Sequence, residues 1–314
     1  MPCAAALQDN GPTVTPATRR RQAISLLQAA EESPNLSQLV ERIQASSARL
    51  NAVRLLLPAA LRASVQAGPI EEGQWCLLVG SNAAAAKLRQ DFGVAVLPEA
   101  SAALAQAQLV VWAVKPQTFK EAAEQVRAHC SHALHLSVAA GIRSDSIAQW
   151  LGTERVVRAM PNTPALVGLG QTGLFARPAV TAADKQWIEQ VVATTGQYLW
   201  VNDEPLLDAV TAISGSGPAY VFFFIEAMID AGTKMGLTPA QAHQLAVGTF
   251  VGASELARSA SEPPSVLRER VTSKGGTTYA AITSMQDSGV AALFEAALKA
   301  AEHRAQELGD AFGS

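Results

Sequence analysis

The sequence predicts an α/β domain built on a mainly parallel sheet, followed by an all-helical domain. Three observations lead to that expectation. From about residue 75, short apolar runs ("WCLLVG", "VAVL", "QLVVWAV", "LHLSVAA", "RVVRAM") alternate with helical stretches such as "AAAAKLRQDF" and "TFKEAAEQVRAH". Continuous apolar strands spaced by helices are the pattern of a parallel sheet covered on both faces. After Asp203 the strand pattern stops and only helical segments follow, and 314 residues suffice for two domains with buried cores.

Taken in order, residues 1–48 start Ala/Pro/Thr-rich and contain one helical stretch, "SQLVERIQASSARL", so they read as an N-terminal extension. Residues 49–203 form the expected α/β domain and residues 204–314 the helical one. "GPAYVFFFIEAMIDAGTKMG" is a helix with Pro218 early and Gly236 at its C-terminal end. It is apolar nearly all round, which calls for burial, in this case against another copy of the chain. In "TPAQ", Thr238 is an N-cap, Pro239 the first helical residue and Gln241 the third, a capping box. Further helices follow at "PSVLRERV", "TTYAAITSMQD" and "VAALFEAALKAAEHRAQEL".

Composition excludes several classes of function. Hydrophobic residues are 49% and charged residues 16%, a globular balance, and the net charge is −3. No overall positive field draws such a chain to nucleic acid or an anionic membrane, so neither is expected as a partner. Arg19, Arg20 and Arg21 read as an isolated solvated triplet. No 18-residue apolar span or signal-peptide core stands out, so the expected location is the cytoplasm. Three scattered cysteines, Cys3, Cys76 and Cys130, fit reduced thiols.

His129, Cys130, His132 and His135 invite a zinc reading by spacing. Leu134, Leu136 and Val138 mark a strand starting there, however, and consecutive strand residues point to opposite faces. The cluster is therefore expected to be a solvated helix-to-strand turn, with no metal.

Gly168-x-Gly170-x-x-Gly173 matches the dinucleotide-binding pattern literally. Such a loop must follow a buried strand and open a helix, bringing backbone and helix N-terminus against a pyrophosphate. Here it lies beyond five strand candidates, follows Pro161 and Pro164, and runs into the strand-like "LFARP". It is a decoy. In "SGSGPAY", Tyr220 replaces the third glycine, so Gly215 and Gly217 are expected to permit close packing at a helix start. No Gly-x-Gly occurs before residue 168; "LNAVRLLLPAALRASVQAG" offers Leu and Arg where a phosphate loop needs glycine.

Several stretches together resemble the pyrroline-5-carboxylate reductase family: "FGVAVLPEASAALAQAQLVVWAVKPQ", "SVAAGI", "VVRAMPNTPALVG", "LLDAVTAISGSGPAYVFFFIEAMIDAGTKMGL" and "LRERVTSKGGTTYAAITSM". The resemblance runs in order from about residue 76 to the C-terminus. It implies a Rossmann-like domain, a helical dimerisation domain, NADPH or NADH as hydride donor, a small-molecule substrate, and a homo-oligomer that is a dimer or an assembly of dimers. By the same resemblance Ser81, Asn82, Ala113, Val114, Lys115, Pro116, Ala139, Ala140 and Asn162 contact the cofactor. Glu204, Ser273, Gly275, Gly276, Thr277 and Thr278 contact the substrate. The physics of "SKGGTT" supports this separately, because two glycines flanked by hydroxyls at a helix start leave backbone N–H groups free for an anion.

The departures fall mostly in the cofactor half. The glycine loop is missing, Ala83 stands where the family often has Arg, and Ala100 where it favours Asn. In the substrate loop Lys274 replaces a common Pro, and Arg270 stands at a nearby position. Reducing a cyclic imine needs hydride on carbon and a proton on nitrogen, with no nucleophile or metal, so the protein's work is proximity. Thr278 is the candidate catalytic contact, positioning the ring nitrogen. Two readings stay open: an active reductase with an atypical cofactor turn, and a dimeric binding or assembly protein that has lost cofactor binding. A shifted reading frame at the N-terminus would produce the same departure.

Overall fold

The computed structural model describes residues 75–79 and 102–312. The expected strand at "VAVL", the turn upstream of Trp75, and Ser81 and Asn82 lie outside the described residues.

Among the described residues six strands form one sheet in chain order: β1 (Trp75–Val79), β2 (Leu109–Ala113), β3 (Leu134–Ser137), β4 (Val156–Met160), β5 (Gly170–Ala176) and β6 (Gly196–Trp200). β1 to β4 are parallel, β5 runs antiparallel to β4, and β6 is parallel to β5. Every residue of β3 is buried, as a strand covered on both faces must be.

Helices α1 (Pro116–Cys130) and α2 (Ser144–Leu151) cover one face. There Phe119, Ala123, Val126 and Ile147 pack on Val110 and Trp112, and the Phe119 and Trp112 rings stack at 4.6 Å. Helix α3 (Ala182–Val192) covers the other face, with Ile188 and Val192 against Leu109, Val111, Leu134 and Val157. α3 opens on a capping box in which Asp184 N donates to Thr181 Oγ1 and Thr181 N donates to Asp184 Oδ2.

After β6 the described residues are helical: α4 (Leu206–Val210), a π turn (Thr211–Gly215), α5 (Gly217–Lys234), α6 (Pro239–Ser259), α7 (Pro264–Arg270), α8 (Thr277–Asp287) and α9 (Val290–Phe312). The expected capping box at α6 is formed, with Gln241 N donating to Thr238 Oγ1 and Thr238 N donating to Gln241 Oε1. α5 has no buried residue within the protomer, and Phe222, Phe223 and Ile213 stand largely exposed.

Two expectations need correction. His135 is not part of a solvated turn: it is fully buried in β3, where the strand packs on α1. Its Nδ1 accepts from Trp112 Nε1 at 3.0 Å, so Nε2 carries the proton and donates to the Cys130 carbonyl at 3.0 Å. Both ring nitrogens are spent, and among the described residues no group of three His, Cys, Asp or Glu side chains is placed to hold a metal ion. Second, among the described residues one helical run, Leu206–Lys234, is long and apolar enough to cross a membrane by length and composition alone. Ser and Gly residues around the π turn interrupt the apolar letters, which is why the sequence did not show a continuous span.

Candidate functional site

The Gly168 pattern resolves into three structural roles. Gly168, at φ 72°, ends the short 3-10 turn Thr163–Val167. A Cβ on Gly170 would come within 2.8 Å of Ala165 Cβ, and one on Gly173 within 2.7 Å of Val210. Gly170 and Gly173 thus let β5 pack closely against its neighbours.

The predicted cofactor residues that are described gather along one edge. Ala113 ends β2, and Val114, Lys115 and Pro116 lead from it into α1, where Lys115 is the N-cap and is exposed. Ala139 and Ala140 follow the end of β3, and Asn162 follows the end of β4. Because β2, β3 and β4 are adjacent and parallel, these ends share the carboxyl edge of the sheet, the edge where open α/β sheets bind ligands. Ala139 is buried, but Ala140 is exposed and Ala113 half-buried at that edge, and neither carries a side chain beyond Cβ, so they leave room there for a flat nicotinamide ring.

Asn162 joins that edge to the helical domain. Its Nδ2 donates to the Ser214 carbonyl in the π turn at 3.0 Å, and its Oδ1 accepts from Gln171 N at 2.8 Å. Gly215 lies so close to Met160 that a Cβ would come within 2.7 Å of its Cε, the close packing expected of "SGSGPAY". Gly217 has open space around it and serves no such contact. A cleft of about 420 Å³ opens beside this junction, bordered by Asn162, Gln171, Ser214, Gly217, Tyr220 and Phe294 among others. The buried Tyr220 hydroxyl has no hydrogen-bond partner among the described residues.

The predicted substrate residues separate into two places. Ser273, Gly275 and Gly276 form the turn before α8, with Gly275 at φ 76° and Gly276 as an N-cap lacking a side-chain cap bond. Thr277 and Thr278 begin α8, and Thr278 is half-buried. None of residues 273–278 borders the cleft, and the main packing partner of α8 is α9.

Glu204 lies elsewhere. Its Oε1 accepts from Ser144 N at 2.6 Å and from Arg158 Nη1 at 2.5 Å, while Oε2 accepts from Ser144 Oγ at 2.5 Å. Both carboxylate oxygens are thus committed to α2 and β4. Arg158 escaped the sequence reading, although a charged residue inside the apolar run "RVVRAM" was its signal, since such a residue must find a buried partner. Arg143 and Asp208 were missed as well. Burial pushes the Asp208 carboxyl above its ordinary range, against the opposing pull of Arg143.

Comparison with known proteins fits this architecture. Residues 204–308 match a family model described as pyrroline-5-carboxylate reductase dimerisation. A pyrroline-5-carboxylate reductase of Pseudomonas aeruginosa is 45% identical over 230 residues, covering 73% of this chain and 84% of its own. The structure of a pyrroline-5-carboxylate reductase from Coxiella burnetii superposes with a TM-score of 0.69 at 36% identity, covering 74% of this chain and 87% of that one. A pyrroline carboxylate reductase from Plasmodium falciparum, solved with NADP bound, gives 0.61 at 30% identity over 66% of this chain and 79% of that one. The fold and site define a two-domain oxidoreductase with a Rossmann-like sheet and a helical dimerisation domain. The chain belongs to the pyrroline-5-carboxylate reductase family.

Proposed function

We propose that the protein reduces 1-pyrroline-5-carboxylate to L-proline with NADPH or NADH, as a cytoplasmic homodimer or assembly of dimers. The observation that carries this reading is continuity, since the similarity covers 84% of a reductase and runs through sheet and helices alike. When bound, the nicotinamide supplies hydride. The chain's own part is to hold two flat partners face to face, which removes most of the entropic cost of their meeting. Ala113, Val114, Lys115, Pro116, Ala139, Ala140 and Asn162 hold the cofactor side, with Ser81 and Asn82 as further contacts.

The substrate carboxylate is received by the turn before α8. Gly275 adopts a left-handed conformation and Gly276 contributes no side chain, so the first N–H groups of α8 stay open to an anion. Ser273 and Thr277 add hydroxyls, and Thr278 positions the ring nitrogen for protonation. Glu204, whose oxygens are occupied by Ser144 and Arg158, contributes by fixing the strand edge and not by direct contact.

Steady-state oxidation of NADPH by pyrroline-5-carboxylate tests the proposal, with turnover and product proline as the expected result. Absence of turnover at micromolar enzyme, together with no NADPH binding by fluorescence titration, would instead leave the non-catalytic binding or assembly protein.

A further inference from the structure

The turn between β3 and α2 carries Ala139 and Ala140 at one end and Arg143 and Ser144 at the other. Three carboxylates from the helical half converge on those last two residues. Arg143 Nη2 donates to Asp310 Oδ1 at 2.9 Å, and Arg143 Nη1 lies 4.0 Å from Asp208 Oδ2. Ser144 gives both its N–H and its hydroxyl to Glu204. The backbone is shaped to match. A Cβ on Gly309 would come within 3.0 Å of Arg143 Nη2, so the guanidinium lies across α9 where the helix has no side chain. Gly141, at φ 73°, sits against Leu308 and Phe312, where a Cβ would come within 3.2 Å and 3.3 Å of their side chains. Asp208 Oδ2 has no hydrogen-bond donor among the described residues, so the Arg143 charge is its compensation.

We propose that Arg143 is a positioning residue: it fastens the turn carrying Ala139 and Ala140 to the C-terminal turn of α9, so that the helical domain sets the cofactor's seat. This rests on the reading that those alanines border the nicotinamide cofactor. The alternative role is purely structural, in which Arg143 only adds stability. The two differ in what they do to binding. A loosened turn weakens cofactor binding and leaves the distant substrate turn before α8 as it was, whereas general destabilisation lowers the amount of active enzyme without changing either KM.

The test is full kinetics and NADPH titration on the full-length protein and on Arg143→Ala, Arg143→Lys, Asp310→Asn and the double variant Arg143→Ala/Asp310→Asn. For Arg143→Ala we expect Kd and KM for NADPH to rise about tenfold, with KM for pyrroline-5-carboxylate held within about twofold. Arg143→Lys should recover part of that loss, since an ammonium can still reach one carboxylate. The double variant should be no worse than Arg143→Ala, because both changes cut one link. Asp310 is mostly exposed, so Asp310→Asn keeps the fold and carries the same comparison if Arg143→Ala does not fold. An active parent enzyme whose Arg143 and Asp310 variants keep their NADPH affinity, or lose both substrates equally, overturns the inference alone. A parent that neither binds nor oxidises NADPH overturns the functional reading beneath it.

Discussion

Arg158 and Glu204 show how much a single buried pair decides. Both side chains are largely shielded from water, at 9% and 15% exposure, and each satisfies the other at 2.5 Å. Removing one member leaves an uncompensated charge, so Arg158→Leu should cost about 3 kcal/mol in urea unfolding. Glu204→Gln, which keeps hydrogen-bonding capacity, should cost clearly less. His135 gives a prediction of a different kind. Desolvation in β3 lowers its pKa to about 4 from the 6.5 of an exposed imidazole. Between those values the unfolded chain binds the extra proton, so folding stability rises with pH across that window. The contribution is complete above about pH 6.5 and is lost as pH falls through 4, amounting to about 3 kcal/mol at full extent. His135→Gln should flatten that part of a stability-versus-pH curve; an unchanged slope would remove the histidine as its source. At the site itself, Thr278→Ala should reduce kcat/KM for pyrroline-5-carboxylate by about tenfold while leaving the Kd for NADPH in place. At this scale the close packing at Gly215, where a Cβ would meet Met160, could be read from the sequence. Arg143, Asp208 and Glu204 as a joint could not, because their partners lie far apart along the chain, 46 positions for Arg158 and Glu204 and 60 for Ser144 and Glu204.

At the level of elements, the readable ones were those with a strong local code. β2 is an unbroken apolar run, α6 carries its own capping box, and α5 has Pro218 at its start. α2 is only eight residues long and buries six of them, and β6 is a short edge strand whose central residues are exposed on both faces, so neither shows the ordinary burial alternation of its class. The antiparallel direction of β5 was equally hidden, since strand direction leaves no mark in the local residue pattern. Edge strand β6 nonetheless carries a sharp constraint. Gly196, at φ 147°, approaches Gly170 so closely that a Cβ would lie 2.4 Å from its backbone nitrogen. Backbone cannot move aside as a side chain tip can, so Gly196→Ala should cost about 2 kcal/mol or more, seen as a lowered Tm. The Thr181 cap of α3 is a milder case, where Thr181→Ala should cost about 1 kcal/mol.

For the whole molecule, the exposed apolar surface of the helical domain is the decisive feature. Phe223 is 66% exposed, Phe222 60% and Ile213 62%, and α5 has no fully buried residue inside its own protomer. A surface of that kind is not tolerated in water by an isolated chain. The all-round apolar pattern of α5 already required a second copy, and the match of residues 204–308 to a dimerisation family agrees with it. A charge placed there should therefore separate the copies: Phe223→Glu is expected to sediment as a monomer at micromolar concentration. The catalytic consequence follows from the site's two separate parts. Residues 273–278, the proposed substrate turn, do not border the cleft beside Asn162 within one protomer, so on the proposed function the site is expected to be completed by the way the helical domains are held together. Phe223→Glu should then lose turnover along with dimerisation while its sheet still binds NADPH. A stable monomer with undiminished kcat/KM would mean that each chain completes its own site, and the coupling of assembly to chemistry would have to be given up.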